Sequence, residues 1–545
     1  MIQINKKGRK GFPIIGSIFS IVILALLAAV SVPQFSAYRS RSSNYEMNPV
    51  EHPYTSSPQV SLSESPTIVG RPIFNTEEYD RIYENRFKDA AQNPLSTFSI
   101  DVDTASYSNV RRFIRRNQMP PKDAVRIEEF INYFDYDYPQ PKGEHPFSIV
   151  TEISQSPWNP GNKLIHIGLQ GRRLDYRDIK PCNLVFLLDT SGSMSSNNKL
   201  PLLKNAFRLL LGELNEQDRI AIVAYAGSAG MVLPSTPASQ KDRILSALKN
   251  LHAGGTTAGG AGIKLAYKIA KENLISGGNN RVILATDGDF NVGVSSTSAL
   301  VRLIEDKRKD DIYLTICGFG MGNYKDGRME QISNAGNGNY FYIDNVMEAE
   351  KVFVTEMRAT LFTIAKDVKI QIEFNPAKVK AYRLIGYENR VMANEDFNDD
   401  IKDAGELGAG HTVTALYEII PTGSTREVRT TDELKYREVK VKANASLKNE
   451  VMTVKFRYKR PGEDVSNLIE KPVLYDEVAL NEASGNFRFS AAVAGFGMLL
   501  RDSQDKGSLT YEEVIALARN SRGRDENGYR TEFISLVKAC ALLGV

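Results

Sequence analysis

The chain has 545 residues, of which 42% are hydrophobic and 24% are charged, and its formal net charge is +3. This length exceeds what one hydrophobic core organises, so we expect about three domains. The small net charge argues against a nucleic-acid partner. Cys182, Cys317 and Cys540 are too scattered for a disulfide framework, and we expect them to be small buried apolar residues.

The N-terminus joins a basic segment to a long uncharged one. KKGRKG, residues 6–11, precedes FPIIGSIFSIVILALLAAVSV, residues 12–32. As a helix, residues 14–32 would span roughly 28 Å, about the thickness of a bilayer core. Basic residues before the segment favour an N-terminus inside the cell, which predicts a single-pass membrane protein with most of its chain extracytoplasmic. A cleaved secretory signal is the alternative.

The same segment resembles the N-termini of type IV prepilins and pseudopilins. RKG followed by Phe12 is similar to their peptidase site, with cleavage between Gly11 and Phe12, and Pro33 lies where many pilin helices have a proline. The family usually has a glutamate as the fifth residue after the cut, and this chain has Gly16 there. The resemblance implies a prepilin-like segment over residues 1–36.

A linker and a first folded region follow. Residues 37–76 are rich in Ser, Pro and Asn without apolar periodicity, which predicts a flexible linker. The first folded region is expected over residues 77–180. Residues 96–103 alternate like a strand, and 105–117 and 123–133 have helical periodicity. With the strands expected for FSIVTEIS and KLIHIGLQG, this pattern predicts an α+β N-terminal region.

The central region, residues 181–361, alternates apolar strands with helices. The continuous apolar runs NLVFLLD, RIAIVAYA, RVILATD and IYLTICGF indicate strands that are covered on both faces. MVLPST, residues 231–236, is expected to be a short antiparallel edge strand. Helices are expected at 200–214, 241–251, 260–274 and 298–308. The alternation predicts an α/β fold with a doubly wound, mostly parallel, Rossmann-like sheet.

The last region, residues 362–545, changes from strands to helices. Alternating segments predict a β-rich module, in the order VKIQIEFN, TVTALYEII, REVKVKA and EVMTVKFRYK. Helical periodicity follows at 481–500, 511–519 and 532–543.

Oxygen-bearing side chains follow two apolar strands of the central region and a glycine-rich turn. The three segments are Asp189–Ser193, Gly254–Gly262 and Ala285–Asp289. In a doubly wound sheet, ligands gather outside the carboxyl ends of the strands, so we expect these segments to meet. Carboxylates and hydroxyls without His or Cys favour Mg²⁺, Mn²⁺ or Ca²⁺ over Zn²⁺.

These motifs carry a resemblance to von Willebrand factor type A (VWA) domains. DTSGSM matches the DxSxS motif of their metal-ion-dependent adhesion site (MIDAS), and the GGT and TDG turns follow in the family's order. Thr257 could replace Thr256, because the threonine is doubled. The resemblance implies these metal ligands: Asp189, Ser191, Ser193, Thr256 and Asp287.

The flanking regions are similar to those of a bacterial group of VWA proteins, in which the domain lies between an N-terminal region and a C-terminal module. RIEEFINYFDYDYP, GNGNYFYIDN and GYRTEFISLV carry this similarity. The family implies a non-enzymatic, adhesion-type function, in which the cation binds an exposed Asp or Glu of a partner protein. The alternatives are a pilus-associated adhesin and an extracytoplasmic scaffold whose ion only rigidifies a loop.

An enzymatic alternative comes from FSIDVDTAS. Asp101 and Asp103 resemble the start of the DxDxT nucleophile motif of haloacid dehalogenase-type phosphatases, where paired carboxylates bind Mg²⁺. The threonine comes one position early, at Thr104, and Ala105 stands in the position of the motif. The structural interpretation is that Asp103 or Thr104 caps the following helix.

Overall fold

The structure is a computed structural model that describes residues 76–174, 180–255, 259–288, 290, 297–428 and 441–544. All of these lie within one compact unit. The predicted prepilin-like segment 1–36 lies outside the described residues, as does all but the last residue of the linker. Within the described part of the chain, no helix is both long and apolar enough to cross a membrane.

The segment before the central region forms short strands, two helices and a long hairpin. Its elements are β1 Lys88–Asp89, β2 Leu95–Ser99, α1 Ala105–Arg115, α2 Ile127–Asn132, β3 Phe147–Gln155 and β4 Lys163–Gly171. Helix α2 is shorter than expected, because Lys122–Ala124 forms a separate 3₁₀ turn.

The central segment contains the predicted α/β sheet. Its strands are β5 Cys182–Asp189, β6 Arg219–Tyr225, β7 Ala229–Pro237, β8 Asn279–Thr286, β9 Ile312–Phe319 and β10 Tyr340–Ile343. Its helices are α3 Leu200–Glu213, α4 Lys241–Lys249, α5 Gly259–Glu272, α6 Thr297–Arg308, α7 Asp326–Ala335, α8 Val346–Glu350 and α9 Met357–Leu361, with a π-helical turn at Lys351–Glu356.

The strand order of this sheet is β10-β9-β8-β5-β6-β7, and all its pairs are parallel except β6 with β7. Every residue of β5 and β8 is buried, as their continuous apolar pattern predicts. Helices cover both faces with separate apolar clusters. The predicted doubly wound fold and the antiparallel edge strand are confirmed.

The segment after the central region forms strands and then a helical end. Its strands are β11 Thr363–Phe374, β12 Val379–Ile385, β13 Gly405–Gly408, β14 Thr412–Pro421, β15 Glu450–Lys459, β16 Asn467–Leu474 and β17 Glu477–Val478. Its helices are α10 Ala443–Leu447, α11 Gly485–Arg501, α12 Tyr511–Asn520 and α13 Tyr529–Leu543. The expected strand REVKVKA begins outside the described residues, because 429–440 are not among them.

The segments on either side of the central sheet share two further sheets. One has the order β1-β12-β14-β4-β3-β17, and the other has the order β13-β11-β15-β16 with β2 also paired to β11. Apolar side chains of both sheets form one cluster, and α11, α12 and α13 pack with α1 and α2 in another. The domain boundaries at 77–180, 181–361 and 362–545 stay predictions.

A buried histidine in this shared core predicts a loss of stability in acid. His166 is 2% exposed, its Nε2 lies 2.8 Å from the hydroxyl of Tyr138, and burial lowers its pKa to about 3. Because an unfolded histidine has a pKa of about 6.5, this contribution to stability is complete above that pH and is lost as the pH falls towards about 3. Between pH 7 and 5 the wild type is expected to lose about 2 kcal/mol through this group.

Urea unfolding at the two pH values measures this loss. His166→Gln cannot gain the proton on unfolding, so its free energy of unfolding should change less between pH 7 and 5 than that of the wild type. His252→Gln, at an exposed position, is the matched control and should retain the wild-type pH dependence. An unchanged pH dependence in His166→Gln would contradict the interpretation.

Candidate metal centre

Two buried carboxylates lie at neighbouring strand ends of the central sheet. Asp189 is the last residue of β5 and pairs with Tyr225 in β6. In the parallel neighbour β8, Ala285 pairs with Leu188, so Asp287 follows the end of that strand. Both aspartates are 0% exposed. The fold therefore brings the first and last predicted ligands to the same edge of the sheet.

Neutral donors surround the carboxylate of Asp189. Its Oδ1 accepts a hydrogen bond from the backbone N–H of Ser191 at 2.8 Å. Its Oδ2 accepts from the hydroxyls of Tyr225 at 3.2 Å and Thr286 at 3.4 Å. Burial raises the pKa of Asp189, and the negative charge of Asp287 adds to this effect, while the hydrogen bonds from Ser191 and Tyr225 oppose it. A nearby cation would stabilise the charged form of this carboxylate.

The two predicted serines lie side by side directly after Asp189. The hydroxyls of Ser191 and Ser193 are 2.9 Å apart. Ser191 is buried, and Ser193 is exposed within the 3₁₀ turn Gly192–Ser195. The buried Ser191 thus contacts the carboxylate of Asp189, and the hydroxyl of the exposed Ser193 contacts that of Ser191.

Backbone hydrogen bonds hold the glycine-rich loop against the same turn. The N–H of Gly254 donates to the carbonyl of Thr190 at 2.8 Å, and the N–H of Gly192 donates to the carbonyl of Gly255 at 3.1 Å. Gly255 has a φ of +87°, which favours glycine. The predicted ligand Thr256 and its alternative Thr257 come next in the chain, but they lie outside the described residues.

A lysine that the sequence motifs did not single out completes this edge of the sheet. The Nζ of Lys199 donates to Oδ2 of Asp287 at 2.8 Å. The lysine is only 7% exposed, and a Cβ added to Gly320 would lie 2.1 Å from its Cε. In the sequence, the sign that Lys199 has a special role is its position just before the first residue of α3, where the helix dipole disfavours a cation.

The donor set fits a hard divalent cation better than a softer metal. The side chains brought together carry carboxylate and hydroxyl oxygens, which Mg²⁺, Mn²⁺ and Ca²⁺ prefer. In the part of the chain that the structure describes, no group of three or more His, Cys, Asp or Glu side chains could hold a metal ion. An ion at this edge would therefore complete its coordination with hydroxyl or water oxygens besides the two carboxylates.

The second acidic pair, Asp101 and Asp103, is held in ion pairs instead. A terminal nitrogen of Arg390 lies 3.0 Å from Asp101 and 3.3 Å from Asp103, and both carboxylates are at most 3% exposed. The preceding strand β2 is antiparallel to β11, whereas a haloacid dehalogenase-type phosphatase needs a parallel sheet there. The environment of this pair is that of a structural ion-pair network.

The expected capping of α1 by Asp103 or Thr104 is wrong. Thr104 makes no side-chain capping hydrogen bond. The N–H of Ser106, which such a cap would bind, donates to Glu129 at 2.7 Å. Asp103 accepts instead from the backbone N–H of Tyr340 at 2.9 Å, which links the N-terminal segment to β10.

Three family descriptions match successive parts of the chain. "von Willebrand factor" matches residues 73–166, "von Willebrand factor type A domain" matches 183–355, and "Uncharacterized protein YfbK, C-terminal" matches 359–543. VWA domains generally mediate protein–protein interactions, and VWA and YfbK-like relatives are generally non-enzymatic. The order of the matches agrees with the three-part organisation implied by the sequence.

Individual relatives differ in how much of the chain they cover. The inter-alpha-trypsin inhibitor heavy chain H4 of Homo sapiens is 29% identical over 149 residues, 26% of this chain and 16% of that protein. The solved structure of a von Willebrand factor type A protein from Catenulispora acidiphila covers 71% of this chain and 89% of its own, with 16% identity and a TM-score of 0.40. The uncharacterized protein YfbK of Escherichia coli K12 is 42% identical over 470 residues, 85% of this chain and 81% of that protein. This chain therefore belongs to the YfbK-like family of VWA-domain proteins.

Proposed function

We propose that this chain is a membrane-anchored, extracytoplasmic binding protein that uses a MIDAS cation to bind an acidic residue of a partner protein. The observation that carries the proposal is the meeting of Asp189, Ser191, Ser193 and Asp287 at one edge of the central sheet. Two of these residues are carboxylates that are fully buried. Lys199 compensates the charge of Asp287, whereas the hydrogen bonds of Asp189 come from neutral donors. A further cation would therefore reduce the cost of burying the second negative charge.

The proposed ligands leave a bound ion able to attract a further carboxylate. Hydroxyl ligands are neutral, so they do not neutralise the charge of the cation. Ser193 is exposed and would let a partner reach the ion. Mg²⁺ is the proposed ion, with Mn²⁺ or Ca²⁺ as alternatives, and the full proposed ligand set is Asp189, Ser191, Ser193, Thr256 and Asp287.

Membrane anchoring and location rest on the sequence before the folded unit. Residues 12–32 carry no charged side chain, and KKGRKG precedes them. A helix over this segment would anchor the folded part outside the cytoplasm. The second candidate function, a pilus-associated adhesin, is favoured by the prepilin-like junction between Gly11 and Phe12. N-terminal sequencing of the mature protein distinguishes the two, since pilus assembly requires a chain that begins at Phe12.

Metal-dependent capture tests the binding function. The full chain in mild detergent is immobilised and exposed to membrane extract with Mg²⁺ or with EDTA. A partner is expected to bind in Mg²⁺, to leave in EDTA, and to be absent with Asp189→Asn. The control Asp306→Asn changes an aspartate whose side chain is 70% exposed and should capture normally. A partner that binds Asp189→Asn as well as the wild type would favour the scaffold alternative.

Lys199→Met is expected to raise the affinity for Mg²⁺ about tenfold. The buried ammonium lies 2.8 Å from Asp287, so it repels a nearby cation and competes for that carboxylate oxygen. In EDTA the same variant should lose roughly 3 kcal/mol of stability, because Asp287 loses a buried ion pair. Isothermal titration calorimetry and urea unfolding measure the two effects.

A surface lysine provides the control for this variant. Lys271 forms an ion pair with Asp310 at 2.9 Å, and its side chain is 60% exposed, so Lys271→Met should change neither quantity by much. Weaker Mg²⁺ binding in Lys199→Met would contradict this prediction, because it would show that the lysine increases the affinity of the site for Mg²⁺.

A further inference from the structure

A cavity of about 610 Å³ lies at the amino ends of the central strands, the opposite edge from the metal centre. Lys180, just before β5, and Asn279, the first residue of β8, both line it. Leu174, Leu274 and Phe362 contribute apolar walls. This size and this mixture of apolar and polar walls are typical of pockets for small molecules.

One wall of the cavity contains a buried arginine. Arg281 is 1% exposed. Its terminal nitrogens donate to the hydroxyl of Thr315 at 2.7 Å and to the carbonyl of Thr360 at 3.0 Å. Its Nε has no hydrogen-bond partner. Burial lowers the pKa of Arg281 to about 10, so the guanidinium stays charged at neutral pH.

The charge of Arg281 is compensated only from a distance. Glu406 attracts the guanidinium electrostatically, but among the described residues no carboxylate forms a direct ion pair with it. The ring of Tyr313 lies 5.6 Å away and adds a weaker cation–π contact. A buried charge without a direct ion-pair partner is costly, and a bound anion would remove this cost.

Asn279 adds an acceptor to the same wall. Its amide nitrogen donates to the carbonyl of Leu361, while its buried Oδ1 has no hydrogen-bond partner. Asn279 and Arg281 are two residues apart in β8, so their side chains lie on the same face of the sheet. On this face, β8 therefore carries a buried donor without a partner on Arg281 and, two residues away, a buried acceptor without a partner on Asn279.

The remaining lining favours an anion. Among the described residues that line the cavity, five are basic and two, Glu144 and Asp311, are acidic. The basic residues are Arg172, Lys180, Arg281, Lys366 and Arg460. Lys366 lies 3.7 Å from Asp311, and the described lining still has an excess of basic side chains. This excess favours an anion, and walls of low polarity strengthen such an attraction.

We propose that this cavity binds an apolar amino-acid carboxylate, with the carboxylate on Arg281, the adjacent N–H on Asn279 and the side chain against the apolar wall. The free C-terminus of a peptide and an N-acylated amino acid share this chemistry. Both present a carboxylate, an N–H and an apolar side chain within a few bonds. The site is separate from the metal centre and does not depend on metal binding.

Calorimetric titration of the full chain in non-ionic detergent tests the site with N-acetyl-leucine as the probe. N-acetyl-leucinamide is its uncharged counterpart and should bind at least about tenfold more weakly, because it cannot form the charged hydrogen bond with Arg281. Arg281→Met should weaken N-acetyl-leucine binding by a similar factor. Lys180→Met, at an exposed position, should weaken it two- to threefold without affecting folding, so the site remains testable if Arg281→Met does not fold.

Matched controls define the outcomes. Arg208→Met removes an exposed arginine of α3 that is not among the residues lining the cavity, and this variant should bind the probe like the wild type. Equal binding of the acid and the amide, or unchanged binding in both Arg281→Met and Lys180→Met, overturns the proposal. Titration with the tripeptide Ala-Ala-Leu shows whether the natural ligand is the C-terminus of a peptide or a free amino-acid derivative. Tighter binding than N-acetyl-leucine assigns a peptide C-terminus, and weaker or equal binding assigns a free amino-acid derivative.

Discussion

Asp189→Asn is expected to weaken Mg²⁺ binding about a hundredfold or more. Asp189 is 0% exposed at the end of β5. Its carboxylate accepts a hydrogen bond from the N–H of Ser191, whose hydroxyl contacts that of Ser193. An amide keeps the shape of the side chain but removes the charge that attracts a hard cation. Even residues that act on a metal only through its ligands commonly change affinity by 10–100-fold, roughly, so the loss of a ligand charge should exceed that range.

The same variant should be at least as stable as the wild type in EDTA. Asparagine can still accept the hydrogen bond from the N–H of Ser191, and it no longer repels Asp287. Calorimetry with Mg²⁺ and with Mn²⁺ gives the affinity, and urea unfolding in EDTA gives the stability. Asp306→Asn, which changes an exposed carboxylate, is the control for charge loss. If Asp189→Asn bound Mg²⁺ as tightly as the wild type, the proposed metal centre would be wrong.

The central domain could be predicted from its sequence because each of its signals is local. Uninterrupted apolar runs such as β5 and β8 indicate strands that are covered on both faces, and every residue in them is buried. Motifs that follow such strands must meet, since parallel strands end at the same edge. Asp189 and Asp287 illustrate this rule, whereas Lys199 reaches the same edge from the start of a helix and has no motif around it.

The arrangement of the flanking segments could not be predicted in this way. Strand β2 pairs with β11, and β4 pairs with β14, across more than two hundred residues, and no periodicity within either strand specifies its partner. The sequence pattern does not predict strand β12, because Arg383 interrupts its apolar residues. Strand β16 contains Pro472, which argues against a strand interior and is tolerated at the edge of its sheet.

Glu418→Ala is expected to cost about 3–5 kcal/mol of stability, because it leaves the buried Arg383 with only a longer ion pair, to Asp505 at 3.9 Å. Glu418 is 0% exposed and Arg383 is 4% exposed, and Oε2 of the glutamate accepts from the arginine at 2.9 and 2.7 Å. The same carboxylate accepts from the indole N–H of Trp158 at 2.9 Å and from the amide of Asn162 at 2.6 Å. Since Trp158 and Asn162 precede the central domain and Arg383 follows it, this one side chain joins the two flanking segments.

Urea unfolding of matched variants separates this role from that of an ordinary ion pair. Glu373→Ala breaks a pair with Lys455 at 2.8 Å in which the glutamate side chain is 52% exposed, and it should cost about 1 kcal/mol or less. The double variant Arg383→Met with Glu418→Leu removes both charges and should recover part of the loss, because no charged group is then left buried and unpaired. If Glu418→Ala lowered the free energy of unfolding no more than Glu373→Ala does, the contacts of Glu418 would not stabilise the association of the flanking segments, and their shared sheets would have to provide this stability.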